Sequence, residues 1–107
     1  MIGQQISATE LNELIKKGLS NDEVIIDVRT PNEYAKGKIS GALNIPVDTI
    51  LAATDKLKNY KKIYIYCLSG GRSQLAIALL KAQKFPVELC DLTSGLLAWR
   101  KGGYPLQ

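Results

Sequence analysis

An α/β domain with a mostly parallel, four- to five-stranded sheet and helices on both faces is what this sequence predicts, on three observations. Continuous β-branched and aromatic runs, such as Val24-Ile25-Ile26-Asp27-Val28 and Lys62-Ile63-Tyr64-Ile65-Tyr66, have the pattern of strands buried on both faces. Segments of helical spacing alternate with these runs, the order that generates parallel strands joined by crossover helices. The chain has 107 residues, enough for one core, and shows no linker, repeat or low-complexity stretch, so residues 1–107 are read as a single domain.

Each element follows in chain order. Ser7-Ala8-Thr9-Glu10 is a capping box, with Ile6 and Leu11 at the positions of a hydrophobic staple. The helix it opens runs to about Lys17, its residues Leu11, Leu14 and Ile15 forming one stripe, and Gly18 stands where a left-handed cap is wanted. The strand Val24–Val28 comes next. Thr30-Pro31-Asn32-Glu33 is a second capping box with proline at the favoured first position, opening a short helix that ends near Gly37. Ala42–Ile45 reads as a short strand closed by Pro46, and Val47–Leu57 as a helical stretch with Ile50, Leu51 and Leu57 inward. After the strand Lys62–Tyr66, residues Arg72–Lys84 form the strongest helix, with Leu75, Ala76, Leu79, Leu80 and Ala82 available for packing. Val87–Asp91 is the last strand and Gly95–Lys101 the last helix.

Composition excludes several classes of function. No apolar run approaches the ~18 residues of a membrane span, and the N-terminus lacks a signal-peptide pattern, so a soluble, cytoplasmic protein is expected. The net charge of +4 is spread along the chain, without the density of a nucleic-acid footprint. Two cysteines are too few for a disulfide framework, and with no histidine a structural zinc site is not expected. The missing histidine also removes the usual general base of serine and cysteine hydrolases. Any nucleophile must therefore be activated by backbone dipoles and cations.

Cys67-Leu68-Ser69-Gly70-Gly71-Arg72 is where such activation is expected. A cysteine at the carboxyl end of a buried strand, followed by a small-residue turn into a helix, sits where backbone N–H groups converge on its sulfur. The helix dipole and the Arg72 guanidinium are expected to favour the thiolate, and the chemistry requires that sulfur to be accessible. Gly70 and Gly71 supply the positive φ angles and close approach the turn needs, and Ser69 and Ser73 offer hydroxyls. Cys90, inside a strand, reads as a small hydrophobe of the core. Asp27 and Arg29 read either as a local surface pair, with Arg29 bonded to Asp27 or Glu33, or as indirect support for the catalytic loop. Glu33 reads as the reciprocal member of its capping box, and Trp99 as the residue that packs its helix onto the sheet.

The sequence resembles the rhodanese family over nearly its whole length. Cys67-Leu68-Ser69-Gly70-Gly71-Arg72-Ser73 is similar to the family's C-x-S-G-x-R-S loop, and Asp27-Val28-Arg29 with Glu33-Tyr34 to its D-V-R and E-[FY]. Gly37 to Pro46 resembles G-H-I-x-G-A-x-N-I-P, while Gly95-Leu96-Leu97-Ala98-Trp99, then Gly102-Tyr104-Pro105, resemble the family's endings. The resemblance implies a single rhodanese-like domain that transfers sulfane sulfur through a Cys67 persulfide. Residues Leu68, Ser69, Gly70, Gly71, Arg72 and Ser73 would bind the substrate, Asp27 and Arg29 would support the loop, and no metal or organic cofactor would be required. It implies a small anionic sulfur donor, such as thiosulfate or a persulfide or polysulfide, and a thiol or protein acceptor, with no nucleic-acid or membrane partner. A monomer is expected.

Two departures from the pattern stand out. Lys38 replaces the common His, which places that position outside the chemistry. Leu68 stands where many thiosulfate-using members carry Arg or Lys, so thiosulfate is expected to be the poorer donor. Two other functions fit parts of the pattern. A cysteine-based phosphatase shares the Cys and Arg around an anion loop but has five residues between them, whereas four lie here. A non-catalytic binding or redox-sensing module of the same fold usually lacks the cysteine.

Overall fold

The computed structural model describes residues 4–107. Five parallel strands, β1 (Gln4–Ile6), β2 (Glu23–Asp27), β3 (Leu43–Asn44), β4 (Lys62–Tyr66) and β5 (Glu88–Leu92), form one sheet in the order β1-β5-β4-β2-β3. The helices are α1 (Ala8–Lys17), α2 (Pro31–Lys36), α3 (Thr54–Leu57), α4 (Gly71–Ala82) and α5 (Gly95–Lys101). A 3-10 helix, Val47–Ala53, leads into α3, so the expected continuous helix from 47 to 57 is in fact two short ones.

Both capping boxes form. Glu10 N–H donates to Ser7 Oγ while Ser7 N–H donates to the Glu10 carboxylate, and Thr30 and Glu33 repeat the arrangement at the start of α2. Gly18 takes a positive φ of 92° but with ψ at 119°, so the chain turns into an extended path rather than a left-handed helical cap. Strand β1 was not expected from the sequence: Gln-Gln-Ile is short and mostly polar, and only its pairing with β5 makes it a strand.

The central strands carry apolar side chains on both faces, as their composition requires. On one face Val24, Ile26, Ile63, Ile65 and Cys67 pack under Ile50, Leu57 and the α4 residues Ala76, Ile77 and Leu80. On the other, Ile25, Tyr64, Tyr66, Cys90 and Leu92 pack under α1 and α5 through Leu11, Leu96 and Trp99. Trp99 donates its indole N–H to the Pro105 carbonyl, which ties the end of the chain to this layer. Three inward residues expected from the sequence lie outside: Leu51, Leu75 and Ala82 are exposed, and Ile77 takes the place beside Leu80. The buried set Ser73, Ala76, Ile77 and Leu80 has the spacing of a single stripe, which leaves Leu75 on the opposite side of α4.

This topology locates the site. The connection leaving β2 runs outward to β3 at one edge, whereas the connection leaving β4 runs the other way, to β5. Adjacent strands whose connections diverge open a crevice at their carboxyl ends, where open α/β sheets bind ligands. The two loops bordering that crevice carry Thr30–Glu33 and Cys67–Arg72.

Candidate active site

Strand β4 ends at Tyr66, and the next residue, Cys67, lies beneath the turn into α4. Gly70 bends the turn with φ 122° and ψ −16°, a conformation that glycine adopts and other residues resist. Gly71, expected to need the same freedom, has no positive φ and simply opens α4. No side chain caps α4 at Gly70. The sulfur does so instead: Ser73 N–H, a free donor of the first helical turn, donates to Cys67 Sγ at 3.4 Å, and Gly70 N–H donates to it at 3.1 Å. The Ser73 hydroxyl lies 3.6 Å from Sγ and donates to the Gly70 carbonyl at 3.1 Å. The sulfur thus occupies the anion position at the positive end of a 12-residue helix.

Two observations correct the sequence-based picture of this sulfur. Cys67 is 1% exposed, so the thiol expected to be accessible is covered by its own loop. The outer side of that loop is open among the described residues, however: Ser69 and Gly71 are exposed, and a β-carbon at Gly70 or Gly71 would meet no atom within 4 Å. The second correction concerns Arg72, whose fork faces Glu33 rather than the sulfur. Nη1 and Nη2 donate to the two Glu33 carboxylate oxygens at 2.6 and 3.0 Å. That bond from Arg72, ahead of those from Thr30, holds the Glu33 carboxyl down to about 2, and Glu33 in turn raises Arg72 further. Glu33 is therefore both a helix cap and the partner of the loop arginine, a role that a separation of 39 residues concealed.

Leu68 turns into the layer beneath α5, so no cation stands at its position. The Cys67 and Leu68 carbonyls accept the Leu96 and Leu97 N–H groups of α5 at 2.9 and 3.0 Å. Gly95, with φ 54°, makes this approach possible: a β-carbon there would lie 2.4 Å from the Cys67 carbonyl oxygen. The Cys67 turn is thus held between two helix N-termini, α4 donating to the sulfur and α5 to the carbonyls.

Asp27 and Arg29 form a buried pair, 0% and 2% exposed, not the surface pair the sequence allowed. Arg29 donates to both Asp27 oxygens, at 2.7 to 3.1 Å, and to the Gly37 carbonyl at 2.6 Å, while Asn44 holds the Asp27 and Arg29 carbonyls. Neither residue bonds to 67–73. Arg29 lies over the ring of Tyr66, the residue before Cys67, with its guanidinium 5.8 Å from the ring centroid, and the Tyr66 hydroxyl accepts the Ile39 N–H. Lys38 lies over the Tyr34 ring and exchanges backbone bonds with Gln107, away from the sulfur. Cys90 points to the opposite face of the sheet from Cys67, and burial pushes its thiol up to about 11. It is not placed to resolve a Cys67 adduct. The surface cavities of 430 to 440 Å³ lie elsewhere, at Tyr60 and Leu43, at Leu51 and Phe85, and at Leu14 and Cys90.

A parallel α/β domain that presents one cysteine sulfur to the N-terminus of a helix, in a turn of six residues, is a single-cysteine anion-loop domain. The chain belongs to the rhodanese family: the family model for the Rhodanese-like domain matches residues 7–102. It is 33% identical over 102 residues to a sulfurtransferase of Allochromatium vinosum, covering 90% of this chain and 94% of that relative. It is 30% identical to a tRNA uridine(34) hydroxylase of Cronobacter sakazakii, covering 99% of this chain but only 32% of the hydroxylase. Among solved structures, a protein of unknown function from Rhodopseudomonas palustris, described as a possible tyrosine phosphatase, superposes with a TM-score of 0.88 at 26% identity, covering 98% of this chain and 85% of that one. The family supports sulfurtransferase-like activity, on a domain that other proteins carry as one part of a larger chain.

Proposed function

We propose that the chain is a cytoplasmic sulfurtransferase that carries sulfane sulfur as a persulfide on Cys67. The observation that carries this reading is the sulfur itself serving as the N-terminal cap of α4, with two amide donors already on it. The Cys67 thiolate attacks the outer sulfur of a persulfide, polysulfide or thiosulfate donor. A bond from Sγ to that sulfur forms, the donor's own S–S bond breaks, and the leaving thiolate or sulfite keeps the electron pair. An acceptor thiolate or cyanide then takes the outer sulfur and returns Cys67 as a thiolate. No net oxidation occurs in the cycle. The outer sulfur sits about 2 Å beyond Sγ, towards loop amides that Sγ does not use, and the Ser73 hydroxyl can turn to donate to a charged sulfur. Loading requires the exposed turn Ser69–Gly71 to swing aside, which its open surroundings permit.

Small organic persulfides or polysulfides are the favoured donors. Leu68 supplies no cation, and the charge of Arg72 is already neutralised by Glu33, so a thiosulfate dianion finds little to bind. Phosphate monoester hydrolysis is disfavoured by a ring with four residues between Cys67 and Arg72 and by an arginine fork that is already filled. Sulfur transfer from glutathione persulfide and from thiosulfate to cyanide, read as thiocyanate, tests the proposal beside hydrolysis of an aryl phosphate. Transfer that is faster from the persulfide and absent in Cys67→Ser is expected. Efficient phosphate hydrolysis without sulfur transfer would replace the proposal with the phosphatase reading.

A further inference from the structure

We infer that Glu33 sets donor selectivity by occupying Arg72, so that a dianionic donor has to displace a built-in carboxylate before the arginine can serve it. This inference rests on the sulfurtransferase reading and names the residue that decides which donors that site accepts.

The pair bridges the crevice between the carboxyl ends of β2 and β4, linking the first turn of α2 to the first turn of α4. Its geometry is bidentate, the arrangement in which guanidinium binds a carboxylate or a tetrahedral oxyanion best, so Glu33 uses the same face of Arg72 that such a donor needs. Glu33 is itself anchored. Its Oε1 also accepts the Thr30 N–H and the Thr30 hydroxyl, both at 3.1 Å, so the carboxylate is fixed by the capping box and does not drift away when a ligand enters. The side chains of Arg72 and Glu33 are 35% and 31% exposed, which leaves the pair within reach of an incoming anion. The other acidic groups in the field of Arg72 are Cys67 and Asp27, and Asp27 is saturated by Arg29.

Two consequences follow from competition of this kind. A thiosulfate or sulfate dianion meets a loop whose arginine is already bonded to a carboxylate. A neutral or singly charged organic persulfide needs no guanidinium and meets only the loop amides, so the pair costs it little. A residue acting solely as a structural brace would affect all donors alike, whereas a competitor affects them according to charge.

Glu33→Gln removes the charge while its amide oxygen can still accept from Thr30, and Glu33→Asp keeps the charge but is one methylene too short for the fork. Sulfate, an inert dianion, is titrated into each protein, with binding read from the Gly70, Gly71 and Arg72 amide resonances. Sulfur loading of Cys67 by thiosulfate and by 2-hydroxyethyl persulfide, which carries at most one charge, is measured in parallel. In Glu33→Gln, sulfate affinity is expected to rise about tenfold, the scale of one modest charge contact. The thiosulfate concentration for half-maximal loading is expected to fall by a similar factor, with persulfide loading changed less than about twofold. Glu33→Asp should gain less. Normal loading with no gain in sulfate affinity in either variant, or an equal loss of loading with both donors, overturns the inference and leaves Glu33 as a helix cap. If sulfate affinity rises but no donor loads Cys67 even in the native chain, the ion-pair competition stands and the sulfurtransferase reading falls.

Discussion

Gly95→Ala tests whether α5 holds the Cys67 turn from behind. A β-carbon at residue 95 would lie 2.4 Å from the Cys67 carbonyl oxygen and 2.8 Å from that of Leu68, both backbone atoms that cannot rotate away. One side must retreat by about 0.6 Å to restore the 3.0 Å that real β-carbons keep. That retreat strains or breaks the bonds from Leu96 and Leu97 to the same carbonyls, each contributing about 1 kcal/mol. Holding alanine at a φ of 54° adds about 1–2 kcal/mol. Together these give about 2–4 kcal/mol, and at about 4–8 °C per kcal/mol for a domain of this size the melting temperature falls by roughly 8–32 °C. Because the carbonyls belong to Cys67 and Leu68, sulfur loading below the melting range should also slow. Gly71→Ala is the matched control, since that glycine has ordinary φ and open space, and it should change stability by less than about 1 kcal/mol. Circular dichroism melts and loading rates of both variants check this. A Gly95→Ala protein that melts within about 2 °C of the native chain, at the native loading rate, would refute the close-approach reasoning.

Further predictions concern the buried pair, the pH response and the second cysteine. Arg29→Met leaves the fully buried Asp27 without its charge partner and should cost about 3–5 kcal/mol in urea unfolding; a loss under about 1 kcal/mol would show that the pair is not an isolated buried charge couple. Glu33 is held near 2, chiefly by Arg72, against an ordinary value of 4.5, so its contribution to stability is complete above about pH 4.5 and disappears as pH falls towards 2. The difference in melting temperature between the native chain and Glu33→Gln should shrink across that window, and a constant difference would contradict the ion pair. Cys90→Ser places a hydroxyl among apolar neighbours and should lose about 1–3 kcal/mol while keeping sulfur transfer; loss of transfer with stability intact would make Cys90 a working residue.

Much of the fold was legible because local chemistry and tertiary environment agree. Lys62–Tyr66 and Gly95–Lys101 occur at the residues read from the sequence, and both capping boxes close as their spacing requires. What escaped depends on partners distant in the chain. Strand β1 exists through pairing with β5, which Gln4 and Gln5 do not announce. Leu51 and Leu75 are apolar but face outward, because the 3-10 winding and the α4 stripe through Ser73 and Ile77 rotate them away from the sheet. At the site, the position of Cys67 followed from the strand, the turn and the helix. The pairing of Arg72 with Glu33 did not, because each residue already had an adequate local explanation. Nor did the approach of Gly95, since its contact is with carbonyls that carry no side-chain signature.

The central claim is that Cys67, and no other atom of the chain, accepts and holds a sulfane sulfur. Intact-mass spectrometry of the native protein, Cys67→Ser and Cys90→Ser after brief exposure to polysulfide and removal of excess reagent tests it most directly. A gain of one sulfur atom in the native chain and in Cys90→Ser, none in Cys67→Ser, and return to the starting mass on adding cyanide is the expected result. A native chain that stays at its original mass, or a Cys67→Ser chain that gains sulfur equally well, would contradict it.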